Sequence, residues 1–472
     1  MLSRVALLKS WEDIRSSYWF IPTLMALGAI VLSVVAVWVD TTVGADWLAS
    51  VPWLYENRPA GARDLLATIA GSMITVAGVT FSITVAAVAY AASQFGPRLL
   101  TNFMGDRGNQ VTLGVFIATF LYCLLVLRTI RDGAEVSAGT PLETATTSAG
   151  TAFVPHSAIL VALALAILSV GVFIYYIHHV PQSIHVSNVI AAVGHDLIEE
   201  IHRAFPAKDG PAGTQAHPAA GDPTPPDAVP IETHRTGYVQ RLDEDGPAEI
   251  AREQDIVVRF LLRPGDFARE GQPLAYAWPR ARITDDTVDR LRAAFAFGSR
   301  RTHAQDVVFL VNELAEIAAR ALSTGVNDPF TAGSCMDWLG AAGTELAARS
   351  AHDIVRRDAS GAARLIVRSL VFDEFLDEGF GRVRPYAARD INACSHQLEA
   401  LAGLAAQIED AGHRGALLRE ARALAAESEA HLTGPEDAAR VRERLDGIER
   451  LVAGSVTVSG LAWERRWFLG RA

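Results

Sequence analysis

Two apolar runs decide how this chain folds: LLATIAGSMITVAGVTFSITVAAVAYAA (65–92) and VTLGVFIATFLYCLLVLRTI (111–130). A short polar elbow, SQFGPRLLTNFMGDRGNQ (93–110), joins them. Neither run meets a charge before Arg128, and each reaches the ~20 residues that carry a helix across a bilayer. In the first run Gly71, Thr75, Gly78, Ser82, Ala86, Ala89 and Ser93 recur at spacings of three and four. That spacing stacks them into one narrow stripe on a helix. Small side chains in such a stripe let helix backbones approach closely in lipid, where packing replaces the absent hydrophobic drive. The stripe therefore predicts either an assembly face or the lining of a pore.

Working outward, FIPTLMALGAIVLSVVAVWV (20–39) and VPHSAILVALALAILSVGVFIYYI (154–177) supply a further span on each side. The pattern predicts a mainly α membrane protein with four transmembrane helices, at about 20–39, 65–92, 111–131 and 154–177. No small-residue cleavage site follows the first run, so it reads as a retained helix rather than a signal peptide. Trp47, Leu48, Val51, Leu54 and Tyr55 share one helical face between the first two spans and suit an interfacial helix. Four spans leave both termini on one side. Lys and Arg divide almost evenly between the two sides, so positive-inside counting does not orient the chain.

Half of the 472 residues are hydrophobic, yet the long apolar runs all lie before residue 180. The net charge of −11 argues against a nucleic-acid partner, which calls for clustered Lys and Arg. Only three cysteines are present, far apart, so no disulfide framework or metal knuckle is expected. An acidic, cysteine-poor second half is expected in the cytoplasm. The expected location is therefore the cell inner membrane, multi-pass, with both termini cytoplasmic.

The composition divides the chain into a transmembrane domain (1–180), a membrane-exit helix with a Pro/Ala/Gly-rich linker (181–230), a small β-barrel (231–280) and a helical domain (281–472). PAKDGPAGTQAHPAAGDPTPPDAVP (206–230) cannot bury a core and reads as a linker. TGYVQRLD, QDIVVRFLL and QPLAYAW alternate as strands around the turn RPGDFAREG. The strands look similar to small barrels of the biotinyl/lipoyl type, but no Met-Lys-Met stands at a hairpin tip, so no cofactor is expected. From Thr284 onward the pattern reads as helix throughout.

The most distinctive soluble stretch is RTHAQDVVFLVNELAEIAARALSTGVNDPFTAG (301–333). Ala321, Leu322, Ser323, Gly325, Asn327, Asp328, Pro329, Thr331 and Ala332 form an ALS-x-G-x-NDP-x-TA pattern. With the small-residue span and the QFGPRLL elbow, this chain resembles the uncharacterised bacterial membrane-protein family catalogued as domain of unknown function 2254. The resemblance covers nearly the whole chain and implies an integral membrane protein with a soluble C-terminal half. It implies no activity.

Arg301, Asp306, Ser323, Asn327, Asp328 and Thr331 are candidates for a polar ligand site where two helices meet. The alternative is a capped turn, with Gly325 at a positive φ and Asp328 capping the helix opened by Pro329. His178, His179, His185, His195 and His202 cluster past the fourth span, but no acidic or Cys ligand completes a metal set. Arg128 and Arg131 end the third span on one face, as snorkelling groups or as a pore mouth. Gly96, Pro97 and Arg98 mark the elbow, a point where the second span could hinge. No catalytic motif stands in a persuasive context, so no catalytic residue is assigned. The function expected is a homo-oligomeric ion channel or small-solute pore lined or packed by the second span, which would be about 42 Å long. The alternative is a non-conducting scaffold or sensor whose cytoplasmic domain binds a ligand or partner.

Overall fold

The structure, a computed structural model, describes residues 17–42, 59–96, 106–131, 153–205, 214–216, 224–349 and 354–455. The expected interfacial helix and Pro97 and Arg98 of the elbow lie outside these residues. The chain divides into two compact units. The first comprises residues 13–93 and 97–185, and the second is formed chiefly by residues 186–472.

Four helices make the first unit: α1 (Phe20–Thr42), α2 (Pro59–Phe95), α3 (Arg107–Leu127) and α4 (His156–Ile184). Each is long and apolar enough to cross a membrane. Helix α2 starts six residues before the expected span, because Pro59 and the good helix formers after it carry the turn through Arg63 and Asp64. Helix α4 likewise continues through Pro181.

Polar groups at the helix ends have partners. Asp106 N-caps α3, its Oδ1 accepting from Gly108 N–H at 2.7 Å. The start of α4 follows Pro155 and has no cap of its own. Asp40, at the end of α1, supplies one from 117 residues away, accepting from Ser157 N–H and Ala158 N–H at 2.9 Å each. Its negative charge also meets the positive end of the α4 dipole. Arg63 donates to the Ile130 carbonyl just past α3 at 2.9 Å.

The backbones of α1, α3 and α4 approach one another closely, whereas that of α2 stays further off. Tyr122 is fully buried among them and donates to the Ala158 carbonyl at 3.0 Å. Thr119 and Ser169 share a hydrogen bond between α3 and α4 at 3.1 Å. Helix α2 is held by Leu66, Ile69 and Ala70 in the apolar core and by Tyr176, whose hydroxyl donates to the Thr80 carbonyl at 2.8 Å.

The second unit opens with α5 (Val186–Ala204), whose Val189, Ile190, Val193, Leu197 and Ile201 are buried at helical spacing. Strands β1 (Thr214–Ala216), β8 (Ile354–Arg357), β9 (Ala363–Val367), β4 (Val257–Phe260), β6 (Pro273–Trp278) and β2 (Val229–Glu232) form one sheet in that order. Strands β5 (Phe267–Ala268), β3 (Gly237–Leu242) and β7 (Phe295–Gly298) form another. Two short helices, α6 (Asp245–Glu253) and α7 (Asp285–Arg292), accompany them. Val258, Phe260, Leu274, Leu291 and Leu365 fill the core between these elements.

Three expectations are corrected here. The strands close into no barrel among the described residues; they form two open sheets. The region after Thr284 is not helical throughout, since β7, β8 and β9 belong to the sheets. Strand β9 pairs parallel with β4, Val258 facing Leu365. Thr214–Ala216, inside the expected linker, is an edge strand on β8.

Helices α8 (Val307–Ala321), α9 (Pro329–Ala347), α10 (Phe372–Leu376), α11 (Arg382–Ala387), α12 (Ile391–Gln407), α13 (Ala411–Glu429) and α14 (Pro435–Val452) complete the unit. One π-helical turn, Asp377–Gly381, joins α10 to α11. Helix α9 lies against α5, α8 and α12, and buries Cys335, Met336, Leu339 and Leu346.

Candidate functional site

The stripe on α2 faces away from α1, α3 and α4. Ala62, Leu66, Ala70, Ala77, Thr84 and Ala91 are the buried side of this helix, while Gly71, Thr75, Gly78, Ser82, Ala86, Ala89 and Ser93 are all exposed. A Cβ built on Gly71 or Gly78 meets no atom within 4 Å. Ile74, Val79 and Ile83 border the shallow groove that these small residues leave. The hydroxyls of Thr75 and Ser82 donate back to the carbonyls of Gly71 and Gly78, at 2.8 and 2.9 Å. Their protons are therefore satisfied within the helix, and only acceptor oxygens face outward. Such a face tolerates lipid, a second helix or water.

The NDP turn is self-contained. Asp328 caps α9, its Oδ1 accepting from Phe330 N–H at 3.2 Å and from Thr331 N–H at 3.1 Å. Its Oδ2 accepts from the Thr331 hydroxyl at 2.6 Å. Asn327, with φ 50°, takes the left-handed position expected of Gly325. Asn tolerates that region better than most side chains. The Ser323 carbonyl accepts from Asn327 N–H at 2.9 Å, closing the turn.

Burial acts to raise the Asp328 carboxyl, but its bonds from Thr331 and Phe330 outweigh this and hold it below the usual range. A carboxylate so lowered stabilises the fold above its unfolded pKa, and this contribution fades as pH falls through the lower folded value. Asp328→Ala is expected to cost about 0.5–2 kcal/mol at neutral pH. The gap from wild type should shrink below pH 4. Thermal unfolding across pH checks this, and a gap independent of pH would contradict the charged cap.

Arg301 and Asp306 lie at the other end of α8, about 22 Å from the NDP turn along a helix of 15 residues. The fold does not bring the two sets together. Arg301 grips Asp306 with a two-pronged contact, Nε and Nη2 each donating at 2.9 Å. Asp306 is 2% exposed and caps α8 through Phe309 N–H at 2.9 Å. Burial pushes its carboxyl above the usual range, against the pull of Arg301. The charges of Arg263 and Arg301 both act on Asp306, and that of Arg301 reaches Glu378. Arg263 in turn holds Glu374, and Arg382 holds Glu378. An alternating row of charge therefore runs past the start of α8.

This row borders a half-open cleft of about 520 Å³, between the end of α5, the β3–α6 loop, the start of α8, and strands β8 and β9. Its wall includes Glu200, Arg241, Arg263, Asp306, Arg356 and Arg368. Two left-handed residues shape it. Gln305 has φ 58°, and its side chain accepts from Leu242 N–H at 2.9 Å. Gly265 has φ 95°, and any side chain there would collide with the Asp306 carboxylate. Sequence reading singled out Asp306 but missed the cleft, because its walls come from segments scattered over more than 160 residues. The RPGD turn was its one visible trace.

The histidines disperse. His179 Nε2 meets Asp106 Oδ2 at 2.8 Å and its ring stacks on Tyr175, while His202 pairs with Glu345 at 2.7 Å. His195 packs edge-on against Trp338. No group of three metal-ligating side chains occurs among the described residues. Arg128 is the exposed C-cap of α3, and Arg131 forms a backbone bridge with Phe153. Of Gly96, Pro97 and Arg98, only Gly96 lies among the described residues, with φ 118°.

A family model described as a predicted membrane protein, DUF2254, matches residues 15–403. The uncharacterized protein Mb1321c of Mycobacterium bovis is 30% identical over 415 residues, spanning 86% of this chain and 75% of the relative. The uncharacterized protein Rv1290c of Mycobacterium tuberculosis H37Rv matches with the same identity and coverage. No solved structure matches the chain.

Proposed function

The chain belongs to the DUF2254 family of predicted membrane proteins, and from that membership and the open face of α2 we propose a homo-oligomeric channel or small-solute pore. The carrying observation is the exposed stripe from Gly71 to Ser93, which has no covering helix among the described residues of its own chain. Copies of α2 set around an axis would bring these small residues together by close packing. Outward acceptor oxygens on Thr75 and Ser82 would then offer a polar path without a charge in lipid. Purified protein in a planar lipid bilayer should give discrete conductance steps and should run as an oligomer in detergent. A stable monomer with a silent bilayer would end this reading.

The second reading, a non-conducting sensor, draws support from the cleft rather than from the NDP turn, whose carboxylate is occupied by its own helix start. In both readings the protein sits in the inner membrane with both termini in the cytoplasm. The native thiols are buried, and burial pushes that of Cys394 up to about 11, so they give little background labelling. Ala359→Cys, on an exposed loop, should escape a membrane-impermeant maleimide in intact cells and react after lysis. Labelling in sealed cells would reverse the orientation.

A further inference from the structure

We propose that the cleft at the start of α8 binds a nucleotide, a phosphate-bearing ligand that also carries hydroxyl and amino donors. The proposal does not depend on whether the membrane unit conducts. Its volume of about 520 Å³ lies within the range of small-molecule sites, which is ~300–1,000 Å³. Arg203, Arg241, Arg263, Arg356 and Arg368 reach it from five separate elements. Arg203 is held within α5 by Glu199 and Glu200, whereas the other four converge from segments far apart in sequence. The start of α8 at Val307 and Val308 opens on the same space and adds the positive end of a helix dipole.

The carboxylates decide the ligand class. Glu200, Asp243, Glu244, Asp245 and Asp306 line the cleft in equal number, so its field does not favour a bare anion. Several arginines are already committed. Arg263 forks onto Glu374, and Arg356 holds Glu244 and Asp245 at 2.8 and 2.7 Å. Arg368 differs. It is half exposed and reaches Glu374 only at 3.8 Å, where Arg263 already occupies the carboxylate. Its guanidinium has donors to give a phosphate. The carboxylates at the rim can accept from ribose hydroxyls and base amino groups, which inorganic phosphate lacks. Leu242, Pro264, Ile354 and Val367 leave apolar wall for a base. Mixed charge, apolar wall and volume together fit a nucleotide better than they fit a simple anion or an apolar ligand.

The left-handed Gln305 and Gly265 hold the wall in a conformation that most sequences avoid.

Equilibrium dialysis and thermal shift on the detergent-purified full chain test the assignment, with AMP, GMP and inorganic phosphate as probes. At least one nucleotide should bind and raise the unfolding temperature, and phosphate should bind at least tenfold more weakly. Arg368→Gln should weaken nucleotide binding about 10- to 100-fold, the loss expected for a hydrogen bond to a charged group. This half-exposed residue can be replaced without opening the core. Arg422→Gln, an exposed arginine outside the cleft that pairs with Glu449, should bind as wild type. Failure of both nucleotides, phosphate binding as tightly as nucleotide, or equal loss in the two arginine variants would each overturn the proposal.

Discussion

Gly78→Leu is expected to break the assembly into folded protomers and abolish conductance. Within the protomer nothing opposes the new side chain, since a Cβ at Gly78 meets open space. Between protomers the same side chain would force two backbones apart at their closest approach. Lipid tails solvate leucine as well as a neighbouring helix does, so no hydrophobic gain offsets the lost contacts. Each overpacked seam should cost about 1–3 kcal/mol, multiplied around a closed ring. Ala77→Leu is the informative comparison. Ala77 is 4% exposed and faces the other spans, so overpacking there should destabilise the protomer itself. Light scattering coupled to size exclusion reads assembly, and circular dichroism on heating reads the protomer. The stripe is a seam if the two substitutions separate, with Gly78→Leu moving only the first signal. Normal assembly of Gly78→Leu would mean that the groove faces lipid and that the pore reading has lost its basis.

How far the sequence reveals this protein follows from how local each determinant is. The four spans are legible because an uncharged run of bilayer length has few other uses. The stripe on α2 is legible as a stripe, yet periodicity alone does not say which face turns outward. That depended on Leu66, Ala77 and Thr84 meeting the other spans on the opposite face. Strands β3, β4 and β6 show in the alternation of 231–280, but β8 and β9 were hidden for a different reason. IVRR and ARLIV are short, and β9 is stabilised by pairing parallel to β4 across more than a hundred residues. Such pairing leaves no local mark on ARLIV, which then reads as another apolar helical turn. Thr214–Ala216 lies among prolines and glycines and owes its extension to β8. The turn at Asp328 was readable because caps act over three residues. Its glycine was misplaced because Asn327 also enters the left-handed region. Arg301 and Asp306 were grouped with the NDP turn because they share one stretch of sequence, but α8 carries them to its opposite end.

The second large effect is expected at Asp306. Asp306→Ala should destabilise the second unit by about 3–5 kcal/mol, the usual cost of removing one partner from a buried ion pair. Three losses coincide there. Arg301 loses both of its 2.9 Å acceptors, Phe309 N–H loses its cap, and the space beside Gly265 empties. Asp306→Asn keeps the shape and an oxygen for the cap, so it should cost less. The pH dependence separates charge from shape. Because burial raises the Asp306 carboxyl, the folded protein holds this proton more tightly than the unfolded chain does. Its contribution is therefore greatest below the unfolded value of ~3.8 and is lost as pH rises through the raised folded value. The Asn variant lacks that titration. Wild type should exceed it most at the acid end, and the gap should narrow toward neutrality. Thermal unfolding of wild type and both variants from pH 4 to pH 7 measures the trend. A gap that widens with pH would show that Arg301 outweighs burial and that the pair is stabilising in its charged form. The charge row along the cleft would then act as a rigid ionic brace, with Asp306 ionised throughout the physiological range.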